Sequence, residues 1–291
     1  MNCTSAGTLH ERRARGRLRT YATAILRSDR TDVPIARLFL WLLSLASLTW
    51  CGLSWPHSPG SLELGLALGG LVLYATWGVL WPQCGMYGEA LARGKPGARQ
   101  VALTFDDGPH PITTRAVLEL LRAHNARATF FVLGYKVQAH PDVVREIHAA
   151  GHTLGIHGFQ HDRLFSFRSP SYARQQVEHT RQAIALACGV APSLFRPPVG
   201  FASYRTFRGA EQASARIIAW SVRSLDGLRS ADPARVARRV IDQLEDGAIV
   251  LLHDSAEHDD FTPASIAALP EILRALRERG LASVGVEQLQ A

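Results

Sequence analysis

Cysteine is scarce in this chain and scattered: Cys3, Cys51, Cys84 and Cys188 among 291 residues. No C-x-x-C pair occurs, so neither a cysteine-based zinc knuckle nor a disulfide framework is available, and the thiols read as free, either buried or membrane-embedded. There is no internal repeat and no low-complexity stretch. Charge of one sign is also lacking over most of the chain. Residues 1–37 hold eight arginines against three acidic residues, which is +5 of the net +7. A nucleic-acid-binding protein needs its cations spread over a folded face, so that class of partner is excluded. No protein partner is inferable.

Two stretches lack charge altogether. Residues 38–55 and 64–81 are each 18 residues long and uncharged. As helices at about 1.5 Å per residue they reach ~27 Å, close to the thickness of a bilayer core. Trp41, Trp50, Trp55, Trp77 and Trp81 supply aromatics of the kind found at membrane interfaces. A secretory signal is excluded for the first run, because its basic leader is too long and a second run follows at once. The expectation is a transmembrane hairpin in a multi-pass protein of the cell membrane. The turn between the runs has no Lys or Arg, whereas the tail is Arg-rich and Arg93, Lys95 and Arg99 follow the second run. The positive-inside rule then places the rest of the chain in the cytoplasm, with a periplasmic or extracellular position as the alternative.

Residues 82–100 are rich in Gly and Pro and read as a linker, with the folded domain at 101–291. From residue 101 strands and helices alternate. Strands are expected at 101–105, 128–133, 153–156, 194–196, 216–222, 248–252 and 281–286, with helices at 113–124, 141–150, 171–187, 203–213, 233–245 and 263–279. Such alternation specifies a parallel sheet with right-handed crossovers. Seven strands suggest an incomplete (β/α) barrel.

Five short motifs fall at the ends of expected strands: Thr104-Phe105-Asp106-Asp107-Gly108, His157-Gly158-Phe159-Gln160-His161, Arg196-Pro197-Pro198-Val199-Gly200, Asp226, and Leu251-Leu252-His253-Asp254. In parallel barrels those ends share one face, where chemistry is done. An i, i+4 histidine pair on a helical turn points both imidazoles the same way. Alone it is more often a pair of surface histidines. With a carboxylate from Asp106 or Asp107 it makes a two-imidazole, one-carboxylate site with an open position, which suits hydrolytic zinc. Adjacent carboxylates repel unless a metal or an arginine compensates them, and Asp-Gly-Pro is also plain turn chemistry. A histidine after a buried strand is ordinarily a core residue. Here Asp226 is placed to accept its ring N–H and tune it as an acid. No nucleophilic Ser or Cys accompanies the motifs.

With these residues in view, residues 101–286 resemble the NodB-homology polysaccharide deacetylases of carbohydrate esterase family 4. The resemblance implies a distorted (β/α)7 barrel, which the two apolar runs would precede as transmembrane helices. It implies Asp106 as general base, Asp107, His157 and His161 as metal ligands, Arg196 as the residue orienting the base, and His253 as general acid with Asp226 behind it. The backbone N–H of Val199 is implied as an oxyanion donor. The implied cofactor is a divalent metal, zinc first, with cobalt, nickel or manganese as alternatives. The implied reaction is hydrolysis of the N-acetyl or similar N-acyl amide of an amino sugar, in a polysaccharide or a lipid-linked glycan. Departures from the family pattern are Gly158 for Ser or Thr, Val199 for a common Tyr, and Arg223 and Gly227 for the Asp and Trp that flank Asp226. A metal-independent glycosidase and a catalytically silent sugar-binding membrane protein are the competing readings.

Overall fold

The computed structural model of the chain describes residues 35–54 and 61–289. The basic tail before residue 35, Cys3, Trp55 and the turn at 56–60 lie outside these residues. The two apolar runs form helices α1 (Ile35–Ser54) and α2 (Ser61–Leu80). Among the described residues no helix is long and apolar enough to cross a membrane. The pair is tied together by the Tyr74 hydroxyl, which donates to the Ala36 carbonyl at 3.0 Å. Arg37 Nε donates to Met86 O at 3.0 Å, and Ala202 N donates to Val79 O at 3.1 Å, so the end of α2 is fastened to the loop around residue 202.

The segment expected as a linker contributes structure. A 3-10 turn, Pro82–Cys84, ends at Gly85 in the left-handed region, and strand β1 (Ala90–Leu91) pairs with a barrel strand. Beyond it come β2 (Gln100–Asp106), α3 (Thr113–Ala123), β3 (Ala128–Val132), α4 (Gly134–Ala139), α5 (Pro141–Ala149) and β4 (Thr153–Ile156). Then follow α6 (Pro170–Cys188), β5 (Leu194–Phe195), α7 (Tyr204–Gln212), β6 (Arg216–Ile218), β7 (Val222–Arg223), α8 (Pro233–Asp242), β8 (Ile249–His253), α9 (Ala264–Glu278) and β9 (Ala282–Ser283).

Helix starts follow local chemistry. Ser169 caps α6 by accepting from Tyr172 N, with Pro170 at the first helical position, and Gly189 stops it in the left-handed region. Ser203 and Thr206 form a capping box at α7, and Asp232 caps α8 ahead of Pro233.

The sheet order is β1-β6-β5-β4-β3-β2-β8-β7, all neighbours parallel, with β9 paired to β2 off this path. Strands buried on both faces read as continuous apolar runs, as β3 and most of β8 do. The sheet curls but does not close. The stretch expected as one strand, 216–222, is two. Ala219 N donates to Leu91 O while Ser221 N donates to Ile249 O, so the chain changes partner at a seam between β6 and β7. The expected strand at 281–286 shortens to β9. It tucks beneath β2 and β3, where Arg127 N donates to Ser283 O, instead of joining the wall. Eight strands, β1 to β8, make the wall among the described residues, the short β1 adding to one edge. Register places Asp106 directly beside His253.

Candidate active site

Asp106 is the last residue of β2 and Asp107 the first beyond it, with φ 74°. That left-handed backbone, uncommon for a side chain larger than Gly, sends the two adjacent carboxylates to different jobs. Asp107 Oδ1 lies 3.4 Å from His157 Nε2 and 3.6 Å from His161 Nε2. One ligand atom from each residue falls within 4.8 Å of the others. A tetrahedral zinc with bonds of about 2.0–2.1 Å separates its donors by about 3.3–3.4 Å, so the set is nearly at its ligating spacing. Asp107 Oδ1 is buried without a hydrogen-bond partner. A buried polar atom in that state needs an explanation, and a cation supplies it. The residues present fit a divalent metal.

The histidines are oriented from behind. His157 Nδ1 pairs with the Arg196 carbonyl at 2.8 Å, which fixes the tautomer that leaves Nε2 free for an ion. Glu257 Oε1 lies 3.3 Å from His161 Nδ1, and Glu257 is itself held by Arg163 at 2.7 Å. Burial pulls His161 down toward the neutral form that a ligand needs. Against burial, Asp106 and then Asp107 push His157 up. Burial likewise opposes ionisation of Asp107, but the neighbouring His157 imidazole outweighs it and, with His253 and His161, holds the carboxyl well below the usual range.

The spacing His157–His161 was expected on a helical turn. The segment is instead an irregular loop after β4, in which Gly158 has φ 92°. Gln176 of α6 holds it, its Oε1 accepting from Phe159 N and Gln160 N at 3.0 Å each. The imidazoles still converge, with ring centroids 5.4 Å apart.

Asp106 faces the other way. Its Oδ1 accepts from Arg196 Nη1 at 2.7 Å, and Arg196 is fully buried. The guanidinium spends its other donors on Thr104 Oγ1, Ile218 O and Ala219 O, and it stacks 4.3 Å over the Phe131 ring. So many fixed contacts lock its position, and with it the position of Asp106. Opposite, His253 Nδ1 meets Asp226 Oδ1 at 2.9 Å while His253 N donates to Asp226 Oδ2 at 2.8 Å. The Ser224 hydroxyl also donates to Asp226 Oδ1, at 2.5 Å. Burial disfavours the imidazolium, but Asp226 outweighs it and pushes His253 up to about 10. Val199, in the turn Pro198–Gly200, has φ 62°, and Trp220 packs so closely on Gly200 that a Cβ there meets the ring at 2.3 Å.

All eight residues singled out in the sequence thus reach one cleft of about 500 Å³ or the layer directly behind it. Gln176, Ser224 and Glu257 were not foreseen. Each acts through a residue that was, and nothing in its local sequence marks it. Asp254, in the last motif but given no role, is buried with Oδ2 on the Thr114 hydroxyl at 2.5 Å. Burial pushes it up to about 7.

The family described as Polysaccharide deacetylase matches residues 93–218. A peptidoglycan-N-acetylglucosamine deacetylase of Bacillus cereus is 34% identical over 191 residues, covering 65% of this chain and 87% of that protein. A chitooligosaccharide deacetylase of Sinorhizobium fredii is 34% identical over 202 residues, covering 67% and 93%. The structure of a family 4 acetyl xylan esterase from Clostridium thermocellum, in complex with a cobalt ion, superposes with a TM-score of 0.60 at 30% identity, covering 65% of this chain and 89% of that one. The chain belongs to the polysaccharide deacetylase family and is a hydrolase of carbon–nitrogen bonds other than peptide bonds.

Proposed function

We propose that this protein is a metal-dependent deacetylase that removes the N-acetyl or a similar N-acyl group from an amino sugar of a polysaccharide or lipid-linked glycan. The observation that carries the reading is the partnerless Asp107 Oδ1 facing two imidazole nitrogens beside the Asp106–Arg196 pair. Its relatives include deacetylases of peptidoglycan and of chitooligosaccharides.

Asp107, His157 and His161 hold the ion. When bound, a divalent metal supplies Lewis acidity toward an acyl oxygen and water of lowered pKa; zinc suits the donor set, and cobalt, nickel or manganese are alternatives. Asp106 takes the proton of the attacking water, held in place by Arg196. The oxyanion of the tetrahedral species meets the backbone N–H of Val199. His253, held by Asp226, delivers a proton to the departing amine. Its raised pKa keeps the proton available at neutral pH.

The reading extends to the membrane. The α1–α2 hairpin leaves Leu38, Phe39, Trp41, Leu45, Leu48, Leu66, Val72 and Leu73 exposed. Helices apolar on every side need a non-aqueous surrounding. Neither described helix is by itself long and apolar enough to cross a membrane, and we propose that the hairpin is held at the cell membrane with the barrel on the cytoplasmic side, which favours a lipid-linked amino sugar.

The functional test is acetate release from N-acetylglucosamine oligomers by chelator-treated protein before and after zinc is restored. Release only after metal addition is expected. Glycosidic cleavage without metal supports the glycosidase instead.

A further inference from the structure

Three arginines line the cleft: Arg163, Arg223 and Arg229. Two are neutralised. Arg163 pairs with Glu257 at 2.7 Å, and Arg229 pairs with Asp260. Arg223 has no acidic partner among the described residues, and it is exposed. It ends β7, beside Leu251 of β8, two residues before His253 in that strand, or about 7 Å along it. Its guanidinium lies 5.9 Å over the ring of Trp220, which also lines the cleft. Stacking on an aromatic face restrains an arginine and leaves its fork of N–H donors free at the edge.

A solvated surface arginine is the ordinary reading of an exposed guanidinium. Its place in the wall of the cleft, its ring partner and its missing countercharge argue against that here. The family resemblance puts an aspartate at this position, so the charge of the wall is reversed. An arginine fork recognises planar or tetrahedral oxyanions by paired hydrogen bonds.

We propose that Arg223 is a specificity-determining residue that binds an oxyanion, phosphate or carboxylate, carried on the glycan next to the N-acyl group. The substrate is then an acidic amino-sugar glycan, whether a sugar phosphate or a sugar carboxylate. This inference rests on the amide-hydrolase reading of the site.

The test uses the full, zinc-reconstituted chain with methyl N-acetylglucosaminide, N-acetylglucosamine 1-phosphate and N-acetylmuramic acid. Acetate release and calorimetric binding are measured for wild type, Arg223→Gln and Arg223→Asp. In wild type at least one anionic probe binds about tenfold more tightly than the neutral one, as one charge-assisted hydrogen bond provides. Arg223→Gln raises KM for that probe about tenfold at nearly constant kcat and leaves the neutral probe unchanged. Arg223→Asp goes further in the same direction. Which anion responds tells a phosphate carrier from a carboxylated sugar. Equal effects on neutral and anionic probes, or no preference in wild type, overturn the proposal. Binding that follows this pattern without acetate release from any probe keeps the anion site and refutes the hydrolase reading.

Discussion

At the residue scale the site is organised by what stands behind each reacting group. Asp106 and Asp107 are neighbours in sequence, yet one is clamped by a buried arginine and the other faces two histidines. Replacing His157 with Ala removes one of three ligands and should cost the metal: bound zinc falls well below one equivalent while circular dichroism stays that of wild type. Retention of one equivalent at wild-type affinity contradicts the assignment. Asp254 offers a titration test. Its carboxyl is raised from 3.8 to about 7 by burial, aided by Asp107. Between those values the unfolded chain has lost the proton that the fold retains, so the contribution to stability is full below pH 3.8 and is lost as pH rises through 7. In chelator-treated protein, Asp254→Asn should gain thermal stability relative to wild type as pH rises from 4 to 7, with a constant gap above. A gap independent of pH over that window contradicts it. The residues assigned as ligands, base and acid converge on one cleft, and they were legible because they sit within short motifs at strand ends. Gln176, Ser224 and Glu257 were not, because they reach the site from elements whose proximity only the fold creates.

At the scale of elements, the alternation of apolar strands and amphipathic helices was enough to place most of the wall. It could not show where the wall opens. The break at Ala219–Ser221 is set by partners far away in sequence, Leu91 on one side and Ile249 on the other. Nor did the composition of residues 82–100 reveal β1, a two-residue strand that exists only because β6 offers it an edge. The His157–His161 loop shows the same limit: an i, i+4 spacing is read as helix, but Gly158 at φ 92° and the Gln176 side chain settle it as a loop. Gln176→Ala leaves two loop N–H groups without their acceptor. Each lost hydrogen bond of this kind costs about 1–3 kcal/mol, so the variant should melt lower and bind zinc more weakly than wild type, with Asp106 and His253 untouched. Unchanged zinc affinity, by competition with a chromophoric chelator, shows that the loop holds itself.

At the scale of the whole molecule, the hairpin and the barrel are joined near the cleft. Arg37 reaches Met86, and the loop that carries Val199 continues to Ala202, which bonds the end of α2. Were the hairpin held in a membrane, as proposed, these bonds would keep the mouth close to the bilayer. With the barrel inside the cell, a cysteine placed at exposed Arg274 on α9 resists impermeant thiol reagents in intact cells and reacts after lysis. Labelling of intact cells places the barrel outside and returns cell-wall or exported glycan as substrate. The central claim, an ion held by Asp107, His157 and His161 with Asp106 as the base, is tested most directly in one variant. Asp106→Asn, purified with zinc, is assayed together for metal content and for acetate release. The account predicts one equivalent of bound metal with turnover reduced by about 10²–10⁴-fold, the worth of a general base. Near-normal turnover in the metal-loaded variant contradicts it.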